Sequence, residues 1–108
     1  MIIQGSNEPI IVDWTDINLE PTDTLSISLR NEIEELKHWA YADCTIETAD
    51  KRILAPIDEE ESIQWEPCRC VIEAKWLDDD GNTIFCRARD RIVRWDDHRI
   101  LGGDGGDV

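Results

Sequence analysis

Three clusters in this chain carry side chains able to hold a metal ion or move a proton. Cys68 and Cys70 flank Arg69 and, together with His38 or His98, offer the thiolates and imidazole that bind zinc. The Cys-x-Cys step lacks the usual spacer of two to four residues, so these side chains read as thiols rather than ligands. Asp78, Asp79 and Asp80 precede Gly81 and suggest a calcium loop. With Gly81 at the central glycine, an EF-hand loop needs acids where this chain has Trp76 and Arg87, so a solvated turn is expected instead. His98 follows Asp96 and Asp97, a base beside an orienting carboxylate, but no nucleophile, oxyanion loop or second histidine accompanies it. Glu59, Glu60 and Glu61 read as a solvated face. No catalytic, cofactor-binding or metal-binding residue is assigned. No enzyme, cofactor or small-molecule substrate is expected.

Contact chemistry is easier to place. Arg87, Arg89 and Arg91 alternate along one predicted strand and form a basic stripe on an acidic chain. Two readings fit: pairing with Glu73 and its neighbours, or a docking surface for an acidic copy of the chain or another protein. Five tryptophans stand beside one phenylalanine and one tyrosine. Trp39 and Trp76 are assigned to the core. Trp14, Trp65 and Trp95 fit either the core edge or a contact surface, because tryptophan is enriched at interfaces. The interface candidates are therefore Arg87, Arg89, Arg91, Trp14 and Trp95.

These residues depend on strands to position them, and residues 68 to 92 give the clearest signal. Two alternating runs flank Asp78-Asp79-Asp80-Gly81-Asn82, the strongest short-range sign of a β-hairpin. A three-residue turn over Asp79, Asp80 and Gly81, with glycine left-handed, sets Trp76 across from Ile84, Ala74 from Cys86 and Ile72 from Ala88. Glu73 then faces Arg87 on the outer side, while a one-residue slip would bury Arg87 and Arg89. Cys68 and Cys70 share a face about 6.5 Å apart, too far to bridge, and Cys86 lies further off. All four cysteines read as free, small and mostly buried, in keeping with reducing cytosol.

Other segments follow the same pattern. Glu8 to Trp14 predicts a first strand, with Ile10 and Val12 on one face; Thr24 to Leu29 predicts another, with Leu25, Ile27 and Leu29 inward. Residues 31–42 fit a helix or a turn followed by a strand, and the flanking strands favour the latter. Cys44 to Glu47 and Arg52 to Ile57 make a weaker pair around Thr48-Ala49-Asp50, with Pro56 placing its strand near an edge. Asp58 offers an N-cap for one helical turn over residues 59–62. About seven antiparallel strands and one short helical turn predict an all-β, immunoglobulin-like sandwich. Trp39 stands as its core tryptophan with Cys70 opposite. The predicted second strand has no cysteine, so the immunoglobulin disulfide cannot form. Residues 1–101 are read as one domain, and residues 102–108, rich in glycine and aspartate, as a flexible tail.

The 108 residues carry 25 acidic and 11 basic side chains, a net charge of −14, which disfavours contact with nucleic acid or anionic lipid. The acids concentrate early: residues 1–66 hold 16 acids and 4 bases, residues 67–108 hold 9 and 7. No apolar stretch approaches the roughly 20 residues that span a bilayer. The start, Met1 to Gly5, lacks the features of a secretory signal, so synthesis in the cytosol without export by that route is expected.

The order Gln4-Gly5, Pro9-Ile10, Leu36-Lys37-His38-Trp39, Asp43-Cys44-Thr45-Ile46, Asp58 to Ser62, Glu66-Pro67-Cys68 and Glu73 to Gly81 resembles small prophage-encoded proteins of Gram-positive bacteria. The resemblance implies a β-sandwich structural component similar to the N-terminal domain of siphophage baseplate upper proteins, with no catalytic residues to carry over. A non-enzymatic tail or baseplate module is expected, binding other phage structural proteins or itself, in the bacterial host cytoplasm or the virion. The alternative is an acidic decoy that mimics DNA and occupies a host defence protein.

Overall fold

A computed structural model of the chain describes residues 1–94. Its strands are β1 (Ile2–Ile3), β2 (Ile10–Asp13), β3 (Ser26–Arg30), β4 (Glu35–Ala40), β5 (Thr45–Glu47), β6 (Arg52–Ala55), β7 (Cys68–Leu77) and β8 (Thr83–Val93), with one helical turn, α1 (Glu59–Ser62), between β6 and β7. A five-stranded sheet in the order β1-β8-β7-β3-β4 faces a three-stranded sheet in the order β2-β6-β5. The chain is thus an all-β, two-sheet sandwich. Eight strands divide five and three among the described residues, one more than the seven or so expected, and β3 joins the sheet of the hairpin.

Alternation builds this arrangement. On β7, Cys70, Ile72, Ala74 and Trp76 are buried while Arg69, Lys75 and Leu77 are exposed. Trp76 pairs with Ile84, Ala74 with Cys86, Ile72 with Ala88 and Glu73 with Arg87, the register read from the turn and the polarity pattern. At the turn, the Asp78 N–H donates to the Asn82 carbonyl at 2.9 Å and Gly81 takes φ +83°. The Asp78 carboxylate accepts from the N–H groups of Asp80 and Asn82 at 2.9 and 2.8 Å, so it scaffolds the turn.

Ile27, Leu29 and Trp39 from β3 and β4 meet Ile10, Val12, Ile53 and Ala55 from the small sheet in one core cluster with Ile72, Ala74 and Trp76. Residues 31–40 form a turn and then a strand, as the flanking strands predict. Trp39 and Trp76 are each only 1% exposed, and the Trp39 indole N–H donates to the Pro56 carbonyl at 2.7 Å. Three strands cannot cover five, so the inward face of β8 is only partly dry: Ile84 and Cys86 are half-buried and Ala88 is exposed.

Several expectations need correction. Pro56 does not mark an edge: β6 is the central strand of its sheet, between β2 and β5. The proline follows Ala55, the last ladder residue, so no ladder N–H is lost. Asp58 has the extended backbone of an N-cap, but its carboxylate makes no capping bond; its carbonyl accepts from Glu61 and Ser62 instead. Not every strand pair is antiparallel, since β1 runs parallel to β8 with Ile2 beside Ile92. A two-residue strand carries no readable period. It is secured by packing of Ile2 and by the neighbouring segment, where buried Ser62 donates to the Ser6 carbonyl at 2.7 Å. The predicted tail, residues 102–108, lies outside the described residues.

Replacing Trp76 by alanine removes the largest side chain facing the hairpin core and is expected to destabilise the chain by about 3 to 5 kcal/mol. Urea unfolding followed by far-UV circular dichroism measures this. Gly81→Ala, placed where the added methyl meets nothing within 4 Å but φ is +83°, is expected to lose about 1 kcal/mol through backbone strain alone. A neutral Gly81→Ala result would contradict the left-handed turn.

Candidate functional site

The outer face of the five-stranded sheet is built by the residues that alternation excludes from the core. From β8 it receives Phe85, Arg87, Arg89 and Arg91, and from β7 Arg69, Val71, Glu73, Lys75 and Leu77. Ser26, Ser28 and Arg30 continue it on β3, paired with Lys75, Glu73 and Val71. Six of the chain's 11 lysines and arginines therefore share one face of three adjacent strands, with Glu73 as the one carboxylate at those positions.

Glu73 is already engaged. Its carboxylate accepts from Arg87 Nε at 2.9 Å and also from Arg87 Nη2. Arg69 lies directly across from Arg91, a like-charge pairing that is unfavourable in an isolated sheet. Arg89 lies across from Val71. Asp90 lines the same groove, but its carboxylate is engaged by the Met1 amine at 2.6 Å and the Arg91 backbone N–H at 2.8 Å rather than by a guanidinium. Among the described residues Arg30, Arg69, Arg89 and Arg91 form no ion pair. With Arg87 and Val71 they line a groove of about 790 Å³, to which Glu32, Glu73 and Asp90 also contribute, so arginines outnumber carboxylates there five to three. Such a surface offers guanidinium groups for bidentate bonds to carboxylates around a small apolar floor.

The basic stripe predicted on β8 is thus present, exposed and wider than expected. Arg87 follows the structural reading by pairing with Glu73, whereas Arg89 and Arg91 form no ion pair among the described residues. Arg69 joins through the hairpin register, which its number already implies. Arg30 joins only through the pairing of β3 with β7, a link between distant segments that no local pattern reveals.

Of the two readings of Trp14, the structure places it at the core edge and not on the exposed surface. It is 3% exposed, its backbone N–H donates to the Lys51 carbonyl at 2.9 Å, and the Lys51 ammonium lies 5.4 Å from its ring centroid. The step after β2 turns it inward over the core edge. Trp65 is likewise buried. Trp95 lies outside the described residues, as does His98. Exposed apolar side chains come instead from Phe85, 55% exposed, and Leu77 on the same sheet face.

The zinc alternative loses His38, which is exposed on β4 opposite Ser28, whereas Cys68 and Cys70 share the opposite side of β7. No group of three or more candidate metal ligands clusters among the described residues. The four cysteines are free. Burial, with Asp43 nearby, pushes the Cys44 thiol up to about 11; burial, with Asp90 nearby, pushes Cys70 up to about 11; burial and Asp13 raise Cys86. Of the acidic run on α1, Glu61 accepts Lys37 Nζ at 2.7 Å on both oxygens, and Glu59 and Glu60 are exposed. Among the described residues no helix is long and apolar enough to cross a membrane.

Comparison with family models, curated proteins and solved structures finds no match for this chain.

Two measurements check this geometry. A double-mutant cycle on Glu73 and Arg87 is expected to give a coupling of about 0.2 to 1 kcal/mol that shrinks with added salt, since the arginine is largely exposed. Zero coupling at low salt would contradict the pair. The raised thiols favour the protonated form in the folded state, so their contribution to stability is present below the unfolded thiol value of 9.0 and falls as pH rises toward about 11. Replacing Cys44 and Cys70 by alanine is expected to flatten that alkaline loss in urea titrations.

Proposed function

We propose that this chain is a non-enzymatic binding module of phage or prophage type, of the tail or baseplate kind, that engages another protein through the outer face of its five-stranded sheet. The observation that carries the reading is the concentration of Arg69, Arg89 and Arg91, which form no ion pair among the described residues, on one exposed face of a chain with net charge −14. Clustered guanidinium groups that repel one another in the free protein gain most when an acidic surface covers them. Phe85 and Leu77 extend the same face with apolar area suited to a protein partner. The viral assignment draws on the resemblance of residue order from Gln4 to Gly81 to prophage-encoded structural proteins.

Net charge also supports the decoy reading, in which the chain imitates DNA for a host defence protein. A decoy needs carboxylates arrayed over one face in the spacing of duplex phosphates. Here the exposed acids occupy separate places: Glu32, Glu34 and Glu35 around the β3–β4 turn, Glu59 and Glu60 on α1, Asp79 and Asp80 at the hairpin tip. The structural-module reading is therefore preferred.

Affinity capture from a lysogen extract tests it, with the wild-type chain and an Arg89→Glu, Arg91→Glu variant run in parallel. The wild type is expected to retain a tail or baseplate protein that the variant loses by about tenfold or more. Recovery of a nuclease or another DNA-binding protein, without any virion component, would overturn the proposal.

A further inference from the structure

The turn between β3 and β4 carries an exposed aliphatic side chain between two carboxylates, chemistry that complements a groove where arginines outnumber acids. Ile33 at its apex is 90% exposed and stands between Glu32 and Glu34, which are also exposed. The turn is held firmly: Asn31 Oδ1 accepts from the N–H groups of Ile33 and Glu34 at 2.8 and 2.7 Å, and the Asn31 N–H donates to the Glu34 carbonyl at 3.0 Å. A preorganised projection loses little conformational freedom on docking. Its pattern of one aliphatic side chain between two carboxylates complements a groove lined by Val71 together with Arg69, Arg89 and Arg91.

Turn and groove also belong to one patch. Asn31 and Glu32 line the groove, yet Glu32 forms no ion pair with its arginines among the described residues. A two-fold contact requires a patch that holds both plug and socket, because each residue pair then occurs twice. We infer that the partner of this face is a second copy of the chain, with the Glu32-Ile33-Glu34 turn of each copy seated in the arginine groove of the other. The inference rests on the proposed reading of this face as a protein-binding surface and names its occupant. Long-range repulsion between two molecules of charge −14 opposes the contact, so pairing is expected to follow protein concentration and salt.

Sedimentation equilibrium on the full chain tests the inference. The wild type is expected to dimerise in a concentration-dependent way. Arg89→Glu with Arg91→Glu, and separately Glu32→Arg with Glu34→Arg, are each expected to weaken dimerisation at least about tenfold. An equimolar mixture of the two variants is expected to restore a dimer, since both grooves then face turns of opposite charge. Ile33→Ser, which changes no charge, is expected to weaken the dimer about tenfold with unchanged far-UV circular dichroism. A wild type that stays monomeric, or variants that fail to associate when mixed, overturns the inference. If that monomer still captures a virion protein through Arg89 and Arg91, the proposed function stands without the self-pairing; if it captures none, both fall.

Discussion

Burial of one side of β7 is the constraint on which the remaining structure depends. This strand lies between β3 and β8 and contributes Cys70, Ile72, Ala74 and Trp76 to the core. A slip of one residue would exchange every one of those side chains for Arg69, Val71, Glu73 and Lys75, placing charge where Trp39 and Ile53 now pack. The penalty for burying unpaired charge far exceeds the differences between turn types, so polarity sets the register and the Asp-Gly turn accommodates it. The position of β3 follows, because Leu25, Ile27 and Leu29 must share the interior with β7. The small sheet then closes over the apolar side through Ile10, Val12, Ile53 and Ala55.

The same constraint organises the surface. Strands that send alternate residues inward send the others outward in rows, and the row on β8 contains three arginines. Next to it, β7 supplies Arg69 and Lys75 at matching positions. Positive charge is concentrated by strand pairing, while the acids other than Glu73 and Asp90 lie in turns and loops, in α1 and at strand ends among the described residues. A chain that is strongly acidic in sum therefore presents a basic sheet face. Net charge alone describes its long-range field and not the chemistry of that surface.

What could be read from sequence divides along the same line. Period-two patterns identified β3, β7 and β8 and which of their side chains point inward, because the signal lies in neighbouring residues. The hairpin register was legible to the residue, since turn geometry and polarity both act locally. The two residues of β1 carry no period, and their pairing with β8 joins the two ends of the described chain. Pro56 suggested an edge because the ladder end at Ala55 is invisible without the structure. Trp14 was ambiguous for a related reason: an indole at a strand end faces inward or outward according to the path of the backbone beyond it. At the candidate site, Arg87, Arg89 and Arg91 were readable as one row, whereas Arg30 joins them through a pairing across about forty residues of chain.

That last pairing bears on synthesis. An inner strand of the large sheet, β3, has its neighbour β4 at once but meets its other neighbour, β7, only after the small-sheet strands β5 and β6 have been made. Until β7 leaves the ribosome, Ile27 and Leu29 lack the surface that finally shelters them, and loop closure across the intervening segment must precede the reward of contact. Co-translational folding is therefore held back until the hairpin emerges and β7 and β8 complete the sheet. A nascent chain stalled before residue 68 would present an apolar strand without its lasting neighbour, a natural target for chaperones.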